Sequence, residues 1–148
     1  LCPALLDNLG LPAALEQLAE DFGRRAGIGV HAAIGPAPLV PPGSATTALF
    51  RIAQEALTNV ERHAQAQQVD IILDSTEGNL RLSIRDDGVG INASANEART
   101  QRKGIGLRNM RERVEHHGGT LTVSAADNGG TVLVARLPLV SAQEGGKA

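Results

Sequence analysis

The chain has 148 residues, which fits one domain, and 42% of them are hydrophobic, enough to bury a packed core. Its formal net charge of −2 leaves no basic excess that would point to nucleic acid or to an anionic membrane surface. A single cysteine, Cys2, excludes an internal disulfide and fits a reducing compartment. No apolar run approaches the roughly 18 residues needed to span a bilayer.

The chain starts at Leu1 and runs at once into sequence that has the pattern of regular structure. We therefore expect it to be a piece of a longer protein. The expected location of this domain is cytoplasmic, with a parent in the inner membrane left as an open alternative.

The first half of the chain predicts two helices and one strand. A helix over 11–26 has Pro12 in its first turn and ends at Gly27. A strand over 27–33 and a turn-rich connection over 35–43 follow.

The second helix is predicted to run from Ser44, which can cap it, to about Gln65. Apolar residues at helical spacing form its buried face. They are Leu49, Ile52, Ala53, Ala56, Leu57, Val60 and Ala64.

The second half predicts two hairpins separated by a loop and a helix. The predicted elements are strands 69–74 and 80–86, loop 87–103, helix 104–117, and strands 120–125 and 131–137. This order predicts a two-layer α/β sandwich, with a mixed and mostly antiparallel sheet covered on one face by three helices.

Three polar residues form a stripe on the second helix. Glu55, Asn59 and His63 are four residues apart and drift toward the apolar face, so Asn59 reaches the edge of that face. A partly buried Asn oxygen beside a carboxylate can form part of a Mg²⁺ shell. An ordinary solvated helix face, with Glu55 and Arg62 exposed, is the alternative.

Asp86 ends the second strand with the parity of Leu80, Leu82 and Ile84, so it should face the core. A carboxylate there needs hydrogen-bond donors, which an adenine amino group can supply. The alternative is an Asp that caps its own turn.

Glycines follow Asp86 and recur later. Gly88 and Gly90 allow close approach of the backbone to a flat ligand. They also begin a match to the dinucleotide fingerprint, but residues 94–103 supply no apolar helical stripe to support it.

Gly104 and Gly106 open a helix whose free N–H groups can bind an anion such as phosphate, or they merely break the loop. Lys103 and Arg108 flank them, as phosphate contacts or as surface charges. The Thr131 hydroxyl can reach a base near the sheet, or Thr131 is simply a strand residue after a turn.

The order and spacing of these segments resemble the GHKL ATPases, in the form of the sensor histidine kinase catalytic domain. Residues 54–64 resemble the N box, 86–90 the D-x-G-x-G box, 104–110 the G-x-G-L box and 129–138 the closing strand. Residues 1–15 resemble the segment that leaves the dimerisation helices in the nitrate-sensor subfamily.

The resemblance implies a Bergerat fold and a role for each matching residue. Asn59 would hold Mg²⁺ at the phosphates, Glu55 would assist the metal or position the acceptor, and Asp86 would receive the adenine amino group. Residues 92–103 would form the ATP lid. The implied ATP-binding residues are Asn59, His63, Asp86, Gly88, Gly90, Ile91, Gly104, Ile105, Gly106, Leu107 and Thr131. The implied catalytic residues are Glu55 and Asn59.

It also implies a division of the chain: residues 1–11 leave the absent dimerisation helices, 12–140 form the ATP-binding catalytic domain and 141–148 are a disordered tail. The implied reaction transfers the γ-phosphoryl of ATP to a His on a separate dimerisation and phosphoacceptor domain of the same protein. No His of this chain has the acceptor context of the family. The implied partners are that domain and a response regulator of the helix-turn-helix type; the parent is expected to be a homodimer, with attachment to the membrane as an open possibility.

Two departures from the family pattern are a short lid and the lack of a Phe-bearing box before Gly104. Direct binding of nucleic acid is not expected. The alternatives are a GHKL serine kinase of the anti-sigma type, against which residues 1–11 argue, and a non-catalytic nucleotide-binding module.

Overall fold

Within the residues that the structure describes, five strands form one mixed sheet and three helices lie against it. The computed structural model describes residues 3–35, 44–76, 78–88, 108–127 and 129–138, and the side chains of all of these except 3–9, 44, 63 and 64.

The elements follow the predicted order. The helices are α1 (Pro3–Ala26), α2 (Ser44–Asn59), which continues as a π-helical turn (Val60–Ala64), and α3, described over 108–115. The strands are β1 (Gly29–Ile34), β2 (Gln68–Thr76), β3 (Asn79–Asp86), β4 (Thr120–Ala125) and β5 (Thr131–Pro138).

The strand order in the sheet is β1-β2-β3-β5-β4. Only β1 and β2 pair in parallel, because the α2 segment crosses between them; the other pairs are antiparallel. Both predicted hairpins are present, which confirms the mixed, mostly antiparallel sheet.

The core lies on one face of the sheet. Alternate residues of β2, β3 and β5 are buried there, whereas the other face carries half-buried polar residues such as Arg81, which makes two hydrogen bonds of 3.0 and 2.8 Å to Asp74. α2 packs on β3 and β5, and α1 packs on α2 and β1. Apolar side chains of all three helices join the same core, including Phe22, Ile52 and Met110. This arrangement confirms the predicted α/β sandwich.

α1 is longer than the predicted helix. Its helical residues begin at Pro3, and a break at Gly10, with φ of 87° and ψ of 169°, separates them from the rest. The predicted start at Leu11 coincides with this break, and Leu11 is fully buried. No helix within the described ranges is long and apolar enough to cross a membrane.

α2 ends differently from the single helix expected to reach Gln65. The α-helix stops at Asn59 and a π-helical turn follows, which Gln65 ends in the left-handed conformation at φ 55°. The predicted buried face is confirmed for its described side chains, since Leu49 to Val60 on that face are all at most 5% exposed. Capping by Ser44 lies outside the described side chains.

α3 ends in a Schellman motif. Gly118 has φ of 80°, its N–H donates to the carbonyl of Glu115 at 2.9 Å, and the Gly119 N–H donates to the carbonyl of Val114 at 3.0 Å. Met110 and Val114 are buried as predicted. The start of this helix at Gly104, the loop from residue 89 and the tail 141–148 lie outside the described residues.

Substitution of the two adjacent glycines in this motif should destabilise the protein by different amounts. A Cβ on Gly119 would collide with the Arg136 carbonyl oxygen and lie 2.8 Å from Leu137 Cδ2, whereas a Cβ on Gly118 would meet only Pro138 Cγ, at 3.7 Å. We expect Gly119→Ala to cost about 3 kcal/mol or more of unfolding free energy. Gly118→Ala, which adds only left-handed strain, should cost about 1–2 kcal/mol. Urea unfolding of both variants measures the difference, and equal costs would contradict the packing of Gly119.

Candidate functional site

Three strand ends meet at one edge of the sheet. β2 begins there, β3 ends there and β5 begins there, because Val69 pairs with Asp86 and Arg85 pairs with Val132. Continuing the second register by one residue places Asp86 opposite Thr131. The end of α2 reaches the same edge, since residues 60–67 alone connect Asn59 to the first residue of β2.

Asp86 is a buried carboxylate at this edge, with an exposure of 5%. The predicted orientation toward the core is therefore confirmed. Its Oδ1 accepts a hydrogen bond of 2.8 Å from the Gly88 N–H, so the turn-capping role is also present. A carboxylate has about four acceptor positions, so this cap is compatible with a further donor from a ligand.

Thr131 carries an orphaned polar atom beside Asp86. Its Oγ1 is buried and has no hydrogen-bond partner in the described part of the chain. A buried hydroxyl without a partner costs about 1–3 kcal/mol. Native structures rarely keep such a group without a partner, so we expect one from outside the described residues, which can be a ligand, a water or another part of the chain.

Gly130 belongs to the predicted closing segment but was not among the predicted ATP-binding residues. It is buried, and a Cβ there would collide with the carbonyl of Asp86 and lie 2.8 Å from its Oδ1. Only glycine allows β5 to start so close to Asp86. The Gly129-Gly130 pair before Thr131 was the available signal, and Gly129 takes φ of 96° in the turn.

Asn59 is the last residue of α2 and is half-buried, whereas Glu55, one turn earlier, is exposed. The predicted drift of this stripe toward the core is thus confirmed from Glu55 to Asn59. The Asn59 side chain makes no capping hydrogen bond to the π-helical turn. The expected role of its amide at Mg²⁺ stays a prediction. The side chain of His63 is not described.

Asp87 has a partner across the sheet edge. Its Oδ1 accepts hydrogen bonds from the N–H groups of Gln67, at 2.9 Å, and Gln68, at 3.0 Å. These two donors lower the pKa of the Asp87 carboxyl. The pKa is lower in the folded state, so this contribution to stability is present above the ordinary pKa of an aspartate. It is lost as the pH falls through the lowered value.

Several predicted site residues lie outside the described residues. They are Gly90, Ile91, Gly104, Ile105, Gly106 and Leu107, together with the lid 92–103 and Lys103.

Arg108 lies on the described part of α3, and His116 and His117 follow the helix. Arg108 is exposed. The rings of His116 and His117 lie 5.1 Å apart, edge to face. The described residues contain no group of three or more His, Cys, Asp or Glu side chains placed to hold a metal.

The described site thus contains the buried carboxylate of Asp86, the unpartnered hydroxyl of Thr131 and two glycines without side chains, Gly88 and Gly130. A planar ligand fits this chemistry if it donates a hydrogen bond to Asp86 and either donates one to the Thr131 hydroxyl or accepts one from it. An adenine base has such groups.

Comparison with known families decides between a nucleotide site and other planar ligands. Residues 44–141 match the model of the family described as histidine kinase-, DNA gyrase B-, and HSP90-like ATPases. The chain belongs to this ATPase family. Membership implies that the domain binds ATP, in agreement with the resemblance on which the site residues were predicted.

Curated relatives of this ATPase domain are sensor histidine kinases. The sensor histidine kinase MctS of Rhizobium johnstonii is 41% identical over 93% of this chain and 30% of its own length. The oxygen sensor histidine kinase NreB of Staphylococcus carnosus is 32% identical over 94% of this chain and 39% of its own length. The chain therefore spans about a third of the length of these relatives.

Solved structures share the fold. The ATP-binding domain of PrrB from Mycobacterium tuberculosis has a TM-score of 0.67 and 25% identity, over 87% of this chain and 93% of that domain. The histidine kinase domain of the Erythrobacter litoralis EL346 blue-light-activated kinase has a TM-score of 0.70 and 24% identity, over 88% of this chain and 66% of that one. Both agree with the α/β sandwich.

Replacement of Thr131 by Val tests the orphaned hydroxyl. Val keeps the shape and removes the unpartnered group, so the nucleotide-free variant should unfold at the same temperature or a higher one. ATP affinity should fall roughly two- to tenfold, as expected for one lost hydrogen bond. Thermal unfolding and nucleotide titration measure both effects.

Thr122→Val is the matched control, because Thr122 is exposed on β4. It should leave ATP affinity unchanged. A lower melting temperature with unchanged affinity in Thr131→Val would show that the hydroxyl has a structural partner instead.

Proposed function

We propose that this chain is the ATP-binding catalytic domain of a sensor histidine kinase. It would transfer the γ-phosphoryl of ATP to a His on a separate dimerisation and phosphoacceptor domain of the same protein. The observation that carries the proposal is the pair formed by buried Asp86 and the orphaned Thr131 hydroxyl, at the edge where the Asn59 helix ends. The family match and the named sensor kinases support it.

The base would bind at the described end of the site. Asp86 would accept a hydrogen bond from the adenine amino group, in addition to the one from Gly88. The Thr131 hydroxyl would gain its missing hydrogen-bond partner from the base or from a bridging water. Gly88 would leave room for the flat ring, since it carries no side chain, whereas Gly130 leaves room for Asp86 itself.

The phosphates would lie toward the end of α2. Asn59 would hold Mg²⁺ through its amide oxygen, and Glu55 would assist the metal or position the acceptor. The half-buried amide fits a hard cation, which takes oxygen ligands and keeps several waters. Neutralisation of the phosphate charge is the chemistry that a bound Mg²⁺ supplies. We assign Gly104, Gly106 and their neighbours to the phosphate side from the resemblance alone.

Catalysis in this proposal consists of positioning and electrostatic stabilisation. Phosphoryl transfer requires little covalent chemistry from the protein, which has to align the γ-phosphate with its acceptor. The acceptor His would belong to the parent's dimerisation helices, and residues 1–11 would lead from those helices into the domain over 12–140. The phosphoryl group would then pass to a response regulator of the helix-turn-helix type.

The parent would act as a homodimer, with this domain on the cytoplasmic side where ATP is present. The anti-sigma serine kinase alternative is not favoured, because the curated relatives reported above are sensor histidine kinases. A non-catalytic module would bind nucleotide yet label no acceptor.

Substitution of Asn59 tests the catalytic role. Asn59→Ala removes the amide oxygen, and Asn59→Asp places a negative charge beside the phosphates. Both variants should lower transfer from labelled ATP to the parent's acceptor domain by about a hundredfold or more, the usual cost of losing one such electrostatic contact. The measurement is the initial rate of acceptor labelling at saturating ATP.

Asn79→Ala is the matched control, since Asn79 begins β3 at the opposite end of that strand from Asp86. It should label the acceptor at the rate of the unmodified chain. Unchanged transfer by both Asn59 variants would remove Asn59 from the mechanism. Binding of ATP with no labelling of any acceptor by the unmodified chain would support the non-catalytic module.

A further inference from the structure

Asp87 directly follows Asp86, the carboxylate of the base side of the site, and accepts hydrogen bonds from two backbone N–H groups. We infer that Asp87 is a positioning residue for nucleotide binding. Its carboxylate ties the end of β3, which carries Asp86, to the chain segment that follows α2 and its π-helical turn, and so sets the distance between the two halves of the site. This inference rests on the proposed function, because it concerns the same nucleotide.

The two consecutive carboxylates face opposite directions. Asp86 is buried and accepts from Gly88, whereas Asp87 is exposed and accepts from Gln67 and Gln68. Alternation along a strand explains this difference, since successive side chains point to opposite faces. Asp86 therefore faces the site, whereas Asp87 binds the backbone of the neighbouring chain segment.

Asp87 forms three hydrogen bonds to a single short segment. Its side chain accepts from the N–H groups of Gln67 and Gln68, and its own N–H donates to the Gln68 carbonyl at 3.2 Å. The last of these continues the β2–β3 ladder, whose final pair is Val69 with Asp86. The side-chain bonds extend the attachment by one further residue, to Gln67, where the ladder has already ended.

Residues 65–67 are the whole link between the π-helical turn and β2. Gln65 holds a left-handed conformation at φ 55°, which is uncommon for a residue other than glycine. The Gln67 carbonyl accepts a hydrogen bond of 2.9 Å from the Gly29 N–H. The link is therefore held by β1 on one side and by Asp87 on the other, while Arg25 reaches Glu61 of the π-helical turn at 3.4 Å.

This attachment has a consequence for the site. Asn59 lies at the end of α2, on one side of the link, and Asp86 lies directly before Asp87. Without the Asp87 carboxylate, the Gln67 and Gln68 N–H groups lose their acceptor and the link can move relative to the end of β3 that carries Asp86. The nucleotide contacts both parts in the proposed function, so its affinity should depend on the geometry of Asp87 rather than on its charge.

Three substitutions of Asp87 separate geometry from charge. Asp87→Asn keeps an oxygen with two lone pairs at the same reach, so it should bind ATP within about twofold of the unmodified chain. Asp87→Glu keeps the charge but lengthens the side chain, and Asp87→Ala removes the acceptor. Both should weaken ATP binding on the order of tenfold, the usual effect of losing a residue that orients binding groups. Titration of the full chain with ATP and Mg²⁺ measures the affinity.

Asp74→Ala is the matched control, because Asp74 is an aspartate of β2 that also accepts two hydrogen bonds, from Arg81, at the other end of the strand. It should lower thermal stability without changing ATP affinity. A merely structural Asp87 would behave in the same way, and that result for Asp87→Ala would overturn the inference.

Two further outcomes keep the test decisive if Asp87→Ala fails to fold. Equal affinities of Asp87→Glu and the unmodified chain would overturn the inference, as would a tenfold loss in Asp87→Asn, which would assign the effect to charge. Absence of ATP binding by the unmodified chain would instead refute the proposed function itself, so the two failures are distinguishable.

Discussion

The pairing of β3 with β2 on one side and β5 on the other is the constraint on which the site depends. The two antiparallel registers place Asp86 at the last pair of one ladder and directly beside the start of β5. Because side chains alternate along a strand, the three apolar residues of β3 that fill the core also turn the Asp86 carboxylate inward. A shift of one residue in either register would expose Asp86 and bury its charged neighbours.

Burial of Asp86 is costly unless donors surround the carboxylate. Among the described residues, the Gly88 N–H of its own turn donates to the carboxylate, and Gly130 lies directly against the Asp86 backbone. Thr131 is left with a buried hydroxyl that has no partner among the described residues. A domain selected only for stability would replace that hydroxyl by a methyl group, so its presence is consistent with a site kept ready for a ligand.

The two halves of the site come from different levels of structure. The base side is built into the sheet, where strand pairing fixes Asp86, Gly130 and Thr131 together. Asn59 is carried by a helix that packs on the sheet and whose chain continues into β2 through the π-helical turn and residues 65–67. Helix and sheet are joined at this point by the two side-chain hydrogen bonds of Asp87. Because the two halves belong to different elements, nucleotide binding should depend on a fixed connection between them as well as on the residues that contact the nucleotide.

The sequence alone determined the element order, the sandwich and the inward direction of Asp86, because hydrophobic periodicity and strand parity depend on local spacing. It also placed Asn59 at the edge of the buried face, since helical geometry holds up to the last residue of α2. The segments that resemble the family motifs also indicated ATP from the sequence alone, because the residues of each motif are contiguous in the chain.

The tertiary structure decided what depends on contacts between distant residues. The close approach of Gly130 to Asp86 exists only because β5 pairs with β3. The two hydrogen-bond donors to Asp87 lie 20 and 19 residues earlier in the chain. The π-helical turn after Asn59 was not predictable from a periodicity that continues to Ala64. The turn and residues 65–67 lead into β2, whose position is set by its pairing with β1 and β3, and local spacing within α2 does not contain those contacts.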